Sequence, residues 1–193
     1  MLNRVITIYT ESTPNPASMK FVANCYLLEE GSVEYLSESE AANCPLAKQL
    51  FDFSGISGVF ITANFITLTK SSEVDWMELN SILREFIRNY IASGEPVFTG
   101  PVEQKADESI ARTATMNAVE TRIIETLDEY VKPAVEQDGG AIQFKSFDNG
   151  KVTVVLRGSC SGCPSSAVTL KTGIEQLLKN LIPEVTEVVA EAV

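Results

Sequence analysis

The sequence predicts an α+β protein built from two small α+β domains joined by a linker. Apolar residues follow helical spacing around residues 74–91, 117–135 and 165–181, and short strand-like runs occur before the first of these helices, between the second and third, and after the third. The pattern stops at residues 93–109, where Pro, Gly and charged residues occur without periodicity. The second half then restarts with the order α-β-β-α-β, which is typical of an α+β domain.

The first half is predicted to contain four strands and two helices. Pro14 and Pro16 impose a rigid turn between the first two strands. A helix start at Pro45 is favourable, because the N–H that proline lacks would have no partner there. From Trp76 to Tyr90 the apolar residues share one helical face. In chain order the elements are strands Val5–Tyr9 and Phe21–Leu28, helix Pro45–Phe51, strands Val59–Ile61 and Phe65–Thr69 with Ala63 and Asn64 in the turn, and helix Val74–Ile91.

The second half is predicted to contain two helices and three strands. Pro133 falls in the last turn of the first helix and should loosen it. Asn149 and Gly150 tolerate positive φ, so they favour a hairpin turn. The second helix is expected to bury its apolar residues from Val168 to Leu181. The elements are helix Asn117–Val135, strands Ala141–Phe147 and Lys151–Leu156, helix Ser165–Leu181 and strand Val185–Ala190.

The break in periodicity sets the expected domain boundaries. Residues 1–92 form the first domain, residues 93–111 the linker and residues 112–193 the second domain. A linker of this kind leads us to expect that the two domains move independently.

Composition excludes several classes of function. The formal net charge is −11, and an acidic surface repels phosphate backbones and anionic lipid, so we expect neither nucleic acid nor a membrane as partner. The chain contains no histidine, which excludes Ser-His-Asp and Cys-His catalysis and every zinc site with a histidine ligand. Any metal chemistry must therefore use the four cysteines or carboxylates.

The start of the chain bears on its location. Residues 1–16 have neither the apolar run of a signal peptide nor the Arg-rich pattern of a transit peptide. No stretch reaches the length of a membrane span. These features predict a cytoplasmic protein, in a compartment where thiols stay reduced.

The candidate site is the loop Cys160–Pro164, between a predicted strand and a predicted helix. Two residues between Cys160 and Cys163 let both sulfurs face one metal centre, and neighbouring glycines let the backbone approach it. A helix start at Pro164 places free N–H groups and a positive dipole end at the sulfurs, which favours thiolate over thiol. From these residues alone, metal binding and thiol redox chemistry are equally supported, with packing the lesser alternative.

Coordination number bears on this choice. Iron–sulfur clusters and structural zinc sites use four ligands, commonly four thiolates, whereas one protomer offers two at Cys160 and Cys163. Cys25 lies in a strand pattern and Cys44 at a helix start, so both are interpreted as structural. Two copies related by a twofold axis would complete four ligands. A centre that bridges two chains would be exposed and easily passed on, which suits a carrier.

Several segments resemble those of NifU-like (Nfu-type) iron–sulfur scaffold proteins. The second half resembles the C-terminal domain of that family, and the first half is similar to its N-terminal domain. The resemblance covers nearly the whole chain apart from the linker. The segments are VKPAVEQDGGAIQ (Val131–Gln143), LRGSCSGCPSSAVTLKTG (Leu156–Gly173) and the following IEQLLKNLIPEV, together with ESTPNPASMKF (Glu11–Phe21), PLAKQLF (Pro45–Phe51), Val59–Phe60, NFITLTK (Asn64–Lys70) and Trp76 early in the next helix.

The resemblance implies a function without catalysis. It implies that Cys160 and Cys163 of two protomers hold a [4Fe–4S] cluster, which the homodimer receives from an upstream assembly scaffold and passes to apo iron–sulfur proteins. It also implies that the N-terminal domain holds no cluster ligands and docks partner proteins. On this interpretation the chain is a carrier and not an enzyme.

Two other functions use the same cysteines. The first is a thiol–disulfide oxidoreductase, since thioredoxin-like proteins also place CxxC between a strand and a helix. In those proteins the strand belongs to a βαβ unit, whereas here it follows a hairpin, and Ser161-Gly162 with Pro164 fits the scaffold pattern better. The second alternative is a dimer bridged by zinc, which also accepts four thiolates.

The residues around the loop have simpler interpretations. Asp138-Gly139-Gly140 is interpreted chiefly as a helix C-cap, where glycine takes the left-handed conformation. The alternative is that this turn shapes a dimer face near the cluster. Arg157 is placed to pair with an anionic centre, but a solvated side chain is the default.

Overall fold

The structure is a computed structural model that describes residues 5–71, 73–100, 117–161 and 164–192, with the side chains of residues 164–167 and 192 outside the description. The chain divides into two compact units, Met1–Lys105 and Ala106–Val193. Each unit contains helices and a sheet, so the predicted α+β class is confirmed. Because residues 101–116 lie outside the description, the predicted boundaries of the linker stay a prediction.

The N-terminal unit is built on a five-stranded antiparallel sheet. Its strands lie in the spatial order β1-β2-β5-β4-β3. In chain order they are β1 (Ile8–Ser12), β2 (Ser18–Ala23), β3 (Ser32–Tyr35), β4 (Ile56–Thr62) and β5 (Phe65–Lys70).

Two helices pack against this sheet, α1 (Pro45–Phe51) and α2 (Trp76–Ser93), and a 3₁₀ turn (Glu38–Ala41) precedes them. Helix α1 begins at the predicted proline, and the β4–β5 hairpin turns at Ala63, whose φ is +37°. Both predictions are confirmed. The helices and the sheet share one core of fully buried side chains, which includes Leu46, Leu50, Leu83, Ile61, Ile66 and Leu68.

The first two strands are displaced from their predicted positions. The backbone of residues 5–7 bonds to the Asn24 side chain, which donates to the Val5 carbonyl at 2.8 Å and accepts from the Thr7 N–H at 3.1 Å. Strand pairing therefore starts only at Ile8. At the other end, the Leu27 N–H turns away to the Ala63 carbonyl at 2.7 Å, so β2 stops at Ala23.

One strand of the N-terminal unit was not predicted. Strand β3 has four residues and pairs with β4, with Ser32 opposite Thr62 and Tyr35 opposite Val59. So short a segment has no recognisable period of its own. Its conformation comes from the ladder that β4 offers it.

The C-terminal unit has a three-stranded sheet with helices, in the predicted order α-β-β-α-β. Strands β6 (Gly140–Asp148) and β7 (Lys151–Gly158) form the predicted hairpin, with Asn149 at φ +49° and Gly150 at φ +84°. Strand β8 (Glu187–Ala192) pairs in parallel with β7. The helices are α3 (Ala118–Thr126), α4 (Lys132–Gln137) and α5 (Pro164–Leu181).

The first helical segment of this unit is interrupted before Pro133. Residues Leu127–Val131 form a π turn, in which the Lys132 N–H bonds to the Leu127 carbonyl. Proline has no N–H and its ring crowds the carbonyl four residues earlier, so the wider turn relieves that clash. The predicted loosening at Pro133 is confirmed, but it lies in the turn before the proline.

Three predicted core side chains are exposed. Ile82 on α2 is 56% exposed, and Val168 and Leu181 on α5 are 66% and 46% exposed. The same helices bury Leu83 and Ile174, so the helical period was correct and the width of the buried stripe was overestimated. A helix on one side of a sheet buries a narrow stripe, and apolar residues at its margin stay in solvent.

Part of the predicted linker contacts the N-terminal unit. The Tyr90 hydroxyl donates to the Pro96 carbonyl at 2.9 Å, and the Thr99 N–H donates to the Asn43 carbonyl at 2.9 Å. Phe98 packs against the core between these two bonds. Within the described residues, none of the helices has both the length and the apolar character that crossing a bilayer requires.

The cap of α3 gives a test of the C-terminal unit. The Asn117 side chain accepts from the N–H groups of Val119 and Glu120 at 3.0 and 2.9 Å, and the Glu120 carboxylate accepts from the Asn117 N–H at 2.9 Å. Asn117→Ala removes the side-chain oxygen that accepts from the N–H groups of Val119 and Glu120. We expect the C-terminal unit to lose about 1 kcal/mol of stability. Amide hydrogen exchange of β6 and β7 measures it.

Asn117→Asp is the matched control, because it keeps the accepting oxygen. Unchanged exchange in Asn117→Ala would contradict the assigned role of the cap. Trp76, the single tryptophan of the chain, reports on the N-terminal unit, and its fluorescence should not change.

Candidate functional site

Cys160 lies two residues after the end of β7, in the connection to α5. Its side chain is 5% exposed and belongs to the buried core of the C-terminal unit, with Val154, Leu156 and Ile174. Strand β7 is the middle strand of the sheet, since β6 and β8 pair with it on either side. Cys160 therefore follows a strand that is hydrogen-bonded to a neighbour on both sides.

The backbone reverses direction immediately around Cys160. Gly158 has φ +69°, and its carbonyl accepts from the Ser161 N–H at 3.2 Å and from the Ser161 hydroxyl at 2.9 Å. Glycine is required at this position because other side chains rarely adopt that conformation. These bonds close a tight turn, and α5 starts three residues after it at Pro164.

The turn that follows α4 lies against the Cys160 loop. Gly139 has φ +81°, and its N–H donates to the Glu136 carbonyl at 3.1 Å, which confirms the interpretation of Asp138-Gly139-Gly140 as a helix cap. The Ser159 N–H donates to the Gly139 carbonyl at 3.3 Å, and the Ser159 hydroxyl donates to the Asp138 carbonyl. The cap and the loop are therefore tied together.

The second predicted ligand, Cys163, lies outside the described residues, as does Gly162. The pairing of the two sulfurs stays a prediction. Among the residues that the structure describes, no group of three or more Cys, Asp or Glu side chains is arranged to hold a metal ion. Arg157, at the end of β7, is half-buried.

Cys44 has the surroundings of a structural thiol. It is fully buried at the start of α1, and burial raises its pKa from 9.0 to about 11, despite the N–H groups of Ala47 and Leu46 and the Tyr35 hydroxyl, which lower it. Burial and the neighbouring Cys44 also raise the pKa of Tyr35 above its ordinary value. A thiol that stays protonated is a poor nucleophile and a poor metal ligand.

Cys25 is half-buried and packs against the same core as Cys44. Neither residue belongs to the C-terminal unit that contains Cys160. The interpretation of Cys25 and Cys44 as structural residues agrees with these positions.

Sequence reasoning missed one contact at the site. Gly140 lies against Cys160, and a Cβ atom at Gly140 would be 2.8 Å from the Cys160 Sγ. The glycine pair is visible in the sequence, but the contact joins the first residue of β6 to the turn after β7. Only the hairpin register could have indicated it.

Comparison with known proteins identifies the family. A model of the N-terminal domain of Nfu/NifU scaffold proteins matches residues 8–94, and a model of the NifU-like domain matches residues 123–189. The chain is 38% identical over 183 residues to the human protein named NFU1 iron-sulfur cluster scaffold homolog, mitochondrial, covering 94% of this chain and 70% of the human protein. It is 36% identical over 190 residues to NifU-like protein 4, mitochondrial, of Arabidopsis thaliana, covering 97% and 67%.

The chain belongs to the family of Nfu/NifU iron–sulfur cluster scaffold proteins, as its motifs indicated. The solution NMR structure of a NifU-like protein from Saccharomyces cerevisiae overlaps 51% of this chain and 89% of that one, with a TM-score of 0.46 and 25% identity.

The predicted cytoplasmic location is wrong. The human protein and NifU-like proteins 4 and 5 of Arabidopsis thaliana are all named as mitochondrial, which contradicts the prediction. The prediction rested on the first residues of the chain, and the two folded domains contain no information on the compartment.

Cys44 generates a prediction on thiol reactivity and pH. Since its pKa is raised to about 11, we expect iodoacetamide to modify Cys44 much more slowly than Cys25 in the folded apo-protein. Peptide mass spectrometry resolves the two sites, and urea-unfolded protein, in which both should react alike, is the control. Equal rates in the folded protein would contradict the assignment.

The same raised pKa sets the sign of the pH dependence. The unfolded chain loses the Cys44 proton near 9.0 and the folded chain near 11, so the folded state binds more protons between these values. We expect stability to fall as pH rises through that window, and Cys44→Ser to reduce the slope. Urea unfolding, followed by Trp76 fluorescence, measures it.

Proposed function

We propose that this protein is an iron–sulfur cluster carrier in which Cys160 and Cys163 of two copies hold one [4Fe–4S] cluster as cargo. The observation behind the proposal is the fixed position of Cys160, at the end of the middle strand and tied to the α4 cap. Membership of the scaffold family supports the kind of cargo.

Ligand number leads to the dimer. A cluster of this kind takes four thiolates, and the CxxC loop of one chain provides two. Cys44 is buried and protonated in the other unit, so it does not complete the set. A second copy provides two equivalent sulfurs through the same loop, related by a twofold axis.

The chain's own residues hold the cargo and do not transform it. The loop supplies thiolates, and α5, which starts at Pro164, supplies a positive helix end that favours an anionic group there. A cluster held only between two protomers is released when they separate. We propose that it arrives from an upstream assembly scaffold and passes to apo iron–sulfur proteins.

We further propose that the N-terminal unit docks partner proteins. Its thiols, Cys25 and Cys44, pack in or against its core, so the unit presents no cysteine pair to a cluster. The expected absence of catalysis, of nucleic acid and of a membrane partner stays a prediction.

The strand before CxxC does not distinguish this protein from a thiol–disulfide oxidoreductase. The sequence suggested that the strand before CxxC belongs to a hairpin and not to a βαβ unit. Strand β7 does both, because it pairs with β6 in the hairpin and in parallel with β8, with α5 as the crossover. The scaffold function therefore rests on family membership and ligand number, and the redox alternative is decided by experiment.

Ligand removal tests the assignment. In Cys160→Ser or Cys163→Ser we expect the chain to fold and to lose its bound iron and sulfide, because a hydroxyl is a weak ligand for such clusters. Iron and sulfide analysis with visible absorption after anaerobic reconstitution measures this. Cys44→Ser and Cys25→Ser are matched controls that should bind as the wild type does, and retention of the cluster in either ligand variant would refute the assignment.

Assembly tests the sharing of the cluster. We expect iron-loaded protein to sediment as a dimer with one cluster for two chains, and chelation of the iron to remove the visible absorption. A colourless monomer with a titratable disulfide would favour the oxidoreductase, and a colourless dimer with stoichiometric zinc would favour the structural alternative.

A further inference from the structure

The position opposite Cys160 has no room for a side chain. A Cβ atom at Gly140 would lie 2.8 Å from the Cys160 Sγ, 3.2 Å from the Cys160 Cβ and 2.6 Å from the Arg157 carbonyl oxygen. Contacts below 3.0 Å cannot persist, so any other residue at position 140 would force both the Cys160 sulfur and the Arg157 carbonyl away from it.

Backbone conformation does not explain this glycine. Gly139, Gly150 and Gly158 have positive φ and need glycine for that reason, but Gly140 is not among the residues with positive φ. It starts β6 and pairs with Gly158 in a regular ladder. In the described structure, glycine is therefore required at this position because the Cys160 sulfur and the Arg157 carbonyl occupy the space of a side chain.

The sulfur is more easily displaced than the carbonyl. Arg157 lies in the middle strand, where its pairing with Ala141 is flanked by the pairings of Gly140 with Gly158 and Ile142 with Leu156. The Cys160 side chain can rotate about χ1 without disturbing that ladder. A methyl group at position 140 should therefore turn the sulfur out of its place, and the contact with the Arg157 carbonyl requires the paired ends of β6 and β7 to shift as well.

Ser159 also fixes the Cys160 loop, through bonds to the α4 cap. Its side chain is 2% exposed, its hydroxyl donates to the Asp138 carbonyl, and its oxygen lies 3.8 Å from the Cys160 Sγ. The backbone N–H of Ser159 donates to the Gly139 carbonyl at 3.3 Å. The α4 cap thus accepts two bonds from the residue that precedes the proposed ligand.

We propose that Gly140 and Ser159 are positioning residues for the cluster, which fix the place of the Cys160 sulfur in the C-terminal unit. This inference rests on the proposed function of Cys160. The cap of α4 would then serve two purposes, to end the helix and to form the surface on which the ligand loop is fixed. Groups that orient a metal ligand matter because a ligand out of place binds weakly.

Two variants and a control test this in the full-length protein. Gly140→Ala introduces the clash. Ser159→Ala adds no atoms and removes the hydroxyl, with its bond to the Asp138 carbonyl and its contact with the Cys160 sulfur. Gly173→Ala is the matched control, since a Cβ atom there meets nothing within 4 Å. Thermal unfolding by circular dichroism shows whether each variant folds.

The first readout needs no cluster. We expect iodoacetamide to modify Cys160 severalfold faster in apo Gly140→Ala and Ser159→Ala than in the wild type, because the thiol leaves its buried position. Peptide mass spectrometry resolves Cys160 from Cys163. Gly173→Ala should react as the wild type does, and unchanged rates in both folded variants would overturn the inference.

The second readout is the cluster itself. Loss of an orienting group costs roughly 10–100-fold in metal affinity, so we expect retention against a chelator to fall by at least about tenfold, with a changed visible circular dichroism spectrum. A variant that loses thermal stability but keeps both the spectrum and retention would show a purely structural role and overturn the proposal. If Gly140→Ala does not fold, Ser159→Ala decides.

The two proposals fail in distinguishable ways. If wild-type protein takes up no iron, the carrier function fails, and the thiol reactivity still reports whether Gly140 and Ser159 fix the sulfur. If the wild type takes up a cluster, a variant must differ from it in both thiol reactivity and cluster retention. If no folded variant does so, only the positioning inference fails.

Discussion

The register of the β6–β7 hairpin is the constraint on which the candidate site depends. Asn149 and Gly150 close the hairpin in a conformation with positive φ at both positions, and pairing starts with Asp148 opposite Lys151. A bulge between Phe144 and Ser146 then shifts the register by one residue, so that the ladder ends with Gly140 opposite Gly158. A slip by one residue would turn every side chain of a strand to the other face. With this register, the strand that follows the α4 cap begins beside the loop that follows β7.

From that register the surroundings of Cys160 follow. The cap ends α4 with Gly139, the next residue starts β6, and the same two residues lie against Ser159 and Cys160. The Gly150 carbonyl also accepts from the N–H groups of Thr186 and Glu187, at 2.7 and 3.2 Å, at the start of β8. The turn of the hairpin therefore joins β6 to β7 and also fixes the start of β8.

Cys44 and Cys160 are both buried, at 0% and 5% exposed, and they differ in the elements that surround them. Cys44 lies at a helix start, as a reactive thiol often does, yet the apolar core around it raises its pKa to about 11. The helix it precedes has seven residues, and its N–H groups do not offset the loss of water. Cys160 lies in a tight turn at the end of a strand, where the protein fixes its position through backbone bonds.

Much of the fold was predictable, because its signals are local. Pro45 marked a helix start, Asn149-Gly150 marked a hairpin, and the period of α2 and α5 marked two helices. Strand β3 was not predicted, because the conformation of so short a segment depends on its pairing with β4. The exposed Ile82 and Val168 show that a period identifies a helix but not the width of the face that its neighbours cover.

By itself the sequence determined the α+β class, the order of elements in the C-terminal unit and the CxxC loop, since each depends on residues a few positions apart. Only the tertiary structure decided that β8 runs parallel to β7, that Cys44 is withdrawn from solvent and that Gly140 lies against Cys160. These features join residues distant in the chain, and their geometry is set by strand register and packing together. A local pattern cannot specify such contacts, because the same pattern is compatible with several registers.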